Sequence, residues 1–397
     1  MVGNSGSPAY GPVVEALAQN IRSGRYRLEE RLPSEMDLAR QFGVSRGSVR
    51  KALAILASRG LVRRAASRGS FVTSPESREA EGAPARRLAV IMPDPADPLC
   101  ARIIAGVSSS AARHSLEPVL GASWGEPAAE AALLARAVDR GDAGAILFPT
   151  DERLVGEPVV KISSGGFPVV LVDRFLPGTG LDLVRSAHQT GASTLVQWLV
   201  QMGHKEIAFL TTDNLTTRSI SERWAGYREA LAAAGIPYRW DRVWVLPGPN
   251  GSDAERHAVA EYLAAPGRPT AVFALNDSIA RLLIEVAAAA GVRVPQDLSV
   301  VGFDGLEEGE RGGQIVTMRQ PARAVGAQAV ELLVRRLRGT VPPPPVTCTL
   351  PVEFVPGRSA AARVEADAPA RGPAGRTEQR GANPTAPATG QHTPASC

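Results

Sequence analysis

The chain is short of the residues on which metal sites, disulfide scaffolds and membrane spans are built. Its 397 residues include three cysteines and five histidines. Cys100, Cys348 and Cys397 stand far apart, with no CxxC pair or His-rich tract beside them. Neither a disulfide framework nor a zinc site is supported, and no metal or cofactor is expected. No apolar run approaches the roughly 18 residues that mark a membrane-spanning helix. The opening MVGNSGSPAY lacks the basic-then-apolar order of a secretory leader, so the cytoplasm is the expected location. GxSxG, P-loop and metal-ligand spacings are missing too, which argues against an enzyme.

One further scarcity is local. No acidic residue occurs between Asp37 and Glu76, while eight Lys/Arg lie from Arg40 to Arg68. Residues 1–73 hold twelve Lys/Arg against five Asp/Glu, a net +7; the whole chain carries +4, so the remainder is near −3. A basic end on a nearly neutral body points to one module that meets a polyanion, and double-stranded DNA is the natural one.

The chain divides into a flexible start (1–11), a helical DNA-binding module (12–74), a small, polar, Pro-containing linker (75–86), a long α/β region (87–357) and a disordered tail (358–397). In the α/β region, apolar runs such as RLAVIMP, EPVLGA, AGAILFP, FPVVLVD, EIAFLTT, RVWVL, TAVFAL and LSVVGFD read as strands buried on both faces. Helical stretches near 101–115, 188–202, 222–235 and 277–291 separate them. Alternation of this kind implies parallel sheets, and about 270 residues suggests two α/β lobes.

In the first module Pro12 opens a helix with Val13, Leu17 and Ile21 on one stripe, and Gly24 ends it. Ser34 caps a second helix, with Asp37 completing a box-like arrangement. Phe42-Gly43-Val44 turns the chain and Ser45 caps a third helix, on which Val49, Leu53 and Leu56 face the core. Arg46, Ser48, Arg50 and Lys51 then lie at its start or on its other faces, where a recognition helix carries its donors. LVRR and SFVT can pair around a tip at Arg68-Gly69, a wing able to reach the DNA backbone or minor groove.

With IRSG (21–24), LPSE (32–35), FGVSR (42–46), VRKAL (49–53), GLV (60–62) and RGSFV (68–72), the module resembles the GntR family of bacterial transcription regulators. The resemblance implies a winged helix-turn-helix whose DNA-facing residues are Ser34, Glu35, Ser45, Arg46, Gly47, Ser48, Arg50, Lys51, Arg68 and Gly69. The family often has Arg after L-P-S-E, where this chain has Met36. A phosphate contact there is lost or supplied by Arg40.

In parallel α/β sheets, ligands bind beyond the carboxyl ends of the strands. The polar residues at those ends are Asp94, Asp97, Asp173, Arg174, Asn276, Asp277 and Asp304, with Arg223 at the start of RWAGY. They could hold a small polyhydroxylated molecule. Asp97, Asp277 and Asp304 could equally be helix caps, and Asp173-Arg174 a structural pair; Trp124 and Trp224 read as core. PDPADPL (93–99), VVLVDR (169–174), MGHKEIAFL (202–210), RWAGYREAL (223–231), ALNDSIA (274–280), VPQDLSVVGFDG (294–305) and MRQPARAVGAQAVELL (318–333) resemble the LacI/GalR family, whose effector domain has the periplasmic-binding-protein fold. That resemblance implies a carbohydrate-like effector held by Asp97, Asp173, Arg223, Asn276 and Asp304, and a homodimer supported by 318–333. Leu99-Cys100 and Ser186-Ala187 depart from the aromatic pair and the Asp-Asn usual there.

The joined modules resemble AraR-type repressors in architecture. The expected function is a ligand-responsive repressor that binds operator DNA as a dimer. The alternatives are a solute-binding protein of a transport system and a regulator that has lost ligand sensing.

Overall fold

The computed structural model describes residues 10–58, 60–65, 69–73, 86–151, 157–215, 217–248, 251–305, 314–341 and 345–363. Most of the expected flexible start and linker, the wing-tip Arg68 and most of the expected tail lie outside them. The chain divides into two compact units. One comprises residues up to Arg185 and Ala322–Cys348; the other comprises Ser186–Pro321 and the chain from Thr349.

The first unit opens with α1 (Gly11–Arg22), α2 (Glu35–Phe42) and α3 (Arg46–Ser58), then a hairpin of β1 (Val62–Ala65) and β2 (Gly69–Val72). Val62 faces Val72 in the antiparallel register. Val13, Leu17, Leu38, Val49, Leu53, Leu56, Val62 and Val72 form one buried cluster. These are the apolar positions whose helical and strand spacings make each element amphipathic. Leu32 donates its N–H to the Ser70 carbonyl at 2.8 Å, so the α1–α2 connection lines the hairpin's edge. Gly43 ends α2 at φ 63°, the left-handed conformation a glycine adopts without strain.

A six-stranded sheet follows. Its strands are β3 (Arg86–Met92), β4 (Leu116–Ala122), β5 (Ala145–Leu147), β6 (Val169–Val172), β7 (Asp182–Ser186) and β13 (Thr347–Leu350), in the order β4-β3-β5-β6-β7-β13. The β3 to β7 neighbours are parallel. Helices α4 (Pro98–Arg113), α5 (Pro127–Asp139), α6 (Glu157–Ser164) and α11 (Ala322–Leu337) accompany them. β7 reads DLVRS, yet all five residues are buried. Asp182 is tolerated there because Arg336 grips both carboxylate oxygens, at 2.7 and 2.9 Å, and the Val346 N–H donates to it.

The second unit has strands β8 (Ile207–Thr212), β9 (Val243–Leu246), β10 (Ala271–Ala274), β11 (Ser299–Asp304), β12 (Val316–Arg319) and β14 (Glu353–Val355). Their order is β9-β8-β10-β11-β12-β14, parallel except for β14 against β12. Its helices are α7 (His188–Gln201), α8 (Arg218–Ala233), α9 (Asp253–Ala264) and α10 (Asp277–Ala289). Phe209, Tyr227, Phe273 and Phe303 are fully buried in its core. Both sheets reverse strand order in the middle, at β3/β5 and at β8/β10, which is the doubly wound α/β topology.

Two pairs of helices come together through glycine. A Cβ on Gly106 of α4 would collide with the Arg323 carbonyl, and one on Gly326 of α11 with the Ile103 carbonyl. In the second unit a Cβ on Gly226 of α8 would strike the Gln189 carbonyl of α7. Backbone meets backbone at these crossings, so no side chain can be added without moving a helix.

The sequence places the start of the tail at Arg358, but residues 358–363 are bound to the second unit. Arg358 donates its N–H to the Gln314 carbonyl, the Ser359 hydroxyl accepts from Val316, and Arg363 donates to Met202. His204, 3% exposed, spans the Thr270 hydroxyl at 2.9 Å and the Ala361 carbonyl at 3.1 Å. Composition alone missed this segment because its ties are backbone and hydroxyl bonds, which leave no apolar period. Burial, outweighing the Ala361 hydrogen bond, holds the His204 pKa below its ordinary 6.5. The unfolded chain therefore binds the extra proton more readily. The stabilisation is complete above pH 6.5 and is lost as pH falls below it. Melting of the second unit should shift down between pH 7 and pH 5.5, and His204→Gln should flatten that shift; equal slopes for both proteins would refute the assignment.

Candidate functional site

The charged face of the first module is built by two helix starts. The Ser34 hydroxyl accepts from the Asp37 N–H at 3.2 Å and donates to its carboxylate at 2.6 Å, fixing the first turn of α2. Ser45 does the same for α3: its hydroxyl accepts from the Ser48 N–H at 3.1 Å and lies 2.9 Å from the Ser48 hydroxyl. Arg46, Gly47 and Arg50 are exposed beside it. Across the turn, Arg50 donates through Nε and Nη2 to Glu35, at 3.3 and 3.2 Å. With side-chain exposures of 62% and 22%, such a pair contributes about 0.2–1 kcal/mol. A phosphate can displace it.

Ser34, Glu35, Ser45, Arg46, Gly47, Ser48 and Arg50 are thus neighbours at two adjoining helix starts. Lys51 differs: its ammonium sits 4.3 Å from the Tyr10 ring centroid, turned toward α1. Gly69 adopts φ 107°, and the Arg31 guanidinium fills the space a Cβ there would take. Arg63 pairs with Glu29 at 3.0 Å and lies over Phe71. Arg68 lies outside the described residues.

The α/β units each gather polar groups at the carboxyl ends of their strands. In the first unit the Asp97 carboxylate accepts from the Leu99 and Cys100 N–H groups at 2.9 and 3.0 Å. It is the N-cap of α4. Asp173, just after β6, adopts φ 61°, and its N–H donates to Val184. Arg174 donates to the carbonyls of Pro149 and Thr150 and lies over Phe148. Ser123, Thr150 and Glu130 complete this end: the two hydroxyls are 2.8 Å apart, and the Thr150 N–H donates to Glu130 at 2.7 Å. Burial raises the Glu130 pKa. Cys100 is also buried, and its thiol is pushed up to about 12, so it is no nucleophile.

Trp124 corrects an expectation. It was expected in the core, but it is 68% exposed and holds φ 52° at the turn after β4. It sits in the tight turn into α5, closed by the Glu126 N–H donating to the Ser123 carbonyl at 2.9 Å. Trp224 does pack against the second unit's core, beside Trp240 at 5.4 Å.

The second unit brings together Arg223, Asp304 and Asn276. Arg223, on α8, donates through Nη2 to Asp304 at 2.9 Å and through Nη1 to the Leu275 carbonyl at 2.6 Å. Its guanidinium lies over Phe303, 4.0 Å from the ring centroid. The Asn276 side-chain oxygen caps α10 by accepting from the Ile279 N–H at 2.9 Å. Asp304 closes β11 at φ 111°, a conformation few non-glycine residues hold. The Gln320 amide at 2.7 Å and Arg223 hold it there. Backbone strain that the surroundings over-determine is characteristic of binding sites.

His188 and Gln320 were absent from the residues proposed from sequence. The His188 Nδ1 accepts from Arg223 at 3.4 Å, and its ring lies 5.8 Å from that of Phe303. Both residues follow strands, DLVRS and VTMR, that are not continuous apolar runs. Finding those strands would have found these residues.

Among the described residues, no group of three or more His, Cys, Asp or Glu could hold a metal ion. Among them too, no helix is long and apolar enough to cross a membrane.

Comparison with known proteins matches residues 9–72 to bacterial regulatory proteins of the gntR family and residues 196–360 to a periplasmic binding protein-like domain. The arabinose metabolism transcriptional repressor of Geobacillus stearothermophilus is 25% identical over 83% of this chain and 91% of its own length. The HTH-type transcriptional repressor CytR of Escherichia coli K12 is 27% identical over 78% of this chain and 92% of its own. A solved transcriptional regulator CelR–cellobiose complex is 26% identical, covers 83% of this chain and 100% of that one, and superposes with a TM-score of 0.60.

Proposed function

We propose that this chain, a GntR-type DNA-binding domain joined to a periplasmic binding protein-like domain, is a ligand-responsive transcriptional repressor. The observation that carries the reading is the coexistence of two sites. One is a winged helix whose helix starts present Ser45, Arg46, Ser48 and Arg50. The other is a doubly wound α/β domain whose strand ends hold a buried Arg223–Asp304 pair.

Ser34, Glu35, Ser45, Arg46, Gly47, Ser48, Arg50, Arg68 and Gly69 are assigned to the DNA. Arg46 and Arg50 supply charge-assisted donors to phosphates and base edges, and the hydroxyls of Ser34, Ser45 and Ser48 hold the helix starts in register. Lys51 has a smaller part while Tyr10 holds it. The chain acts as a cytoplasmic homodimer on a pseudo-palindromic operator, with half-sites spaced by whole helical turns. It performs no catalysis; its relatives are repressors.

The effector is a small carbohydrate-like molecule, bound by Asp97, Asp173, Arg223, Asn276 and Asp304. The cellobiose in the CelR structure and the arabinose in one relative's name support that class. The ligand must prefer one state of the dimer, and that preference sets how far DNA affinity can move.

The test is selection of DNA from a random library by the full chain, followed by thermal-shift screening against sugars, sugar phosphates and nucleosides. A compound that raises the melting temperature and also changes affinity for the selected DNA supports the reading. Failure to enrich any DNA sinks it. Arg50→Ala should also lower the slope of log affinity against log salt by about 0.9, the loss of one neutralised phosphate; an unchanged slope removes Arg50 from the backbone contacts.

A further inference from the structure

One arginine on the edge of the wing has its donors open. Arg31 bridges Phe71 in antiparallel register, beside β2. From there its side chain runs toward the tip of the hairpin and comes to rest on Gly69. A Cβ on Gly69 would lie 2.8 Å from the Arg31 Nε and 3.3 Å from its Nη2. The missing side chain at Gly69 is therefore what seats the guanidinium. Elsewhere in the module, Arg40, Arg50 and Arg63 are answered by Asp37, Glu35 and Glu29. Arg31 is not. Glu29 is turned to Arg63, and Glu30 accepts from the Arg27 N–H. Among the described residues, the exposed Arg31 guanidinium has no hydrogen-bond or ion-pair partner.

An exposed arginine without a partner is ordinary on a protein surface. This one is held at the end of the hairpin that carries the wing tip, packed against the main chain of Gly69. A planar fork seated in this way suits a phosphate, which it can grip through two parallel bonds. Its stem is spent along the hairpin, which favours a contact to the DNA backbone over one to base edges in a groove. Resting on the repressor reading above, we propose that Arg31 is a further DNA-binding residue, which neutralises one backbone phosphate beside the wing in each half-site. Gly69 then has a role beyond the turn: it is the seat of that cation.

The experiment uses the full chain and the DNA enriched by it from a random library. Arg31→Ala should make log affinity against log salt less steep by about 0.9 for each protomer bound. It should weaken selected and scrambled duplexes by the same factor, about tenfold per protomer. Arg31→Lys, which keeps the charge, should keep the slope. Arg31→Ala should melt like the native protein, because no hydrogen bond within the chain is lost. Phosphates of a half-site are then replaced in turn by uncharged methylphosphonates. The native protein should lose affinity at one phosphate where Arg31→Ala loses none. A native slope and a native methylphosphonate pattern in Arg31→Ala would overturn the role of Arg31 and leave the repressor reading standing. A loss confined to operators with one particular base pair beside the wing would overturn the phosphate contact. No enrichment of DNA by the native chain would overturn both the contact and the reading.

Discussion

Asp304→Ala is expected to cost the second unit about 3–5 kcal/mol and to abolish the effector response. The side chains of Arg223 and Asp304 are 7% and 11% exposed, so removing the carboxylate strands a guanidinium in a nearly dry site. Breaking one partner of a buried pair carries that penalty. It is a large share of the roughly 5–15 kcal/mol that stabilises a domain. For a unit of this size the melting temperature should drop by about 10 °C. Asp304→Asn separates the two roles. Its amide oxygen can still accept from Arg223 and Gln320, so most stability should survive, while a ligand that needs the carboxylate should be lost. Calorimetry of both variants, with and without a confirmed effector, checks this. DNA binding at low temperature should remain, because the winged helix has its own core. An Asp304→Ala protein that melts like the native one would show that the pair is not buried as described.

The second large effect is expected at the α4–α11 crossing. An alanine Cβ at Gly326 would lie 2.9 Å from the Val107 nitrogen and closer still to the Ile103 carbonyl; one at Gly106 would crowd Arg323. The obstacles are main-chain atoms within helices, which cannot rotate away as a side-chain tip can. Overpacking costs about 1–3 kcal/mol, more when the neighbours are rigid. Each substitution should therefore cost about 3 kcal/mol or more in denaturant unfolding. The double variant should cost clearly less than the sum, since one separation of the helices relieves both clashes. Gly11→Ala is the control, because nothing lies within 4 Å of its added Cβ. Additive losses at Gly106 and Gly326 would mean that the two glycines do not share one crossing.

The sequence carried the fold far because this architecture writes itself in simple patterns. The eight continuous apolar runs are strands, and Pro12, Ser34, Gly43 and Ser45 stand at the helix ends and turns where their chemistry suits them. What escaped had its apolar pattern interrupted. β7 and β12 contain Asp182 and Thr317, polar residues that long-range partners make tolerable: Arg336 for Asp182 and Asp277 for Thr317. Partners 154 and 40 positions away cannot be paired by reading along the chain. The same blindness hid His188 and Gln320, and the attachment of 358–363. At the candidate DNA face, the residue types were legible, but their engagement was not. That Lys51 rests on Tyr10 while Arg50 stays within reach of a phosphate is a matter of side-chain direction, which spacing does not fix.

The path of the chain has a consequence for how the protein comes into being. It leaves the first unit after Arg185, returns to it at Ala322 and passes to the second again at Thr349. Synthesis proceeds from the N-terminus, and domains fold as their residues emerge. The winged helix is complete by Thr73, whereas β14 and the His204–Ala361 bond await residues 353–361. A nascent chain thus owns a finished DNA reader long before it owns the domain that governs it. Every newly made molecule passes through an interval in which it can bind DNA but cannot yet answer to its signal.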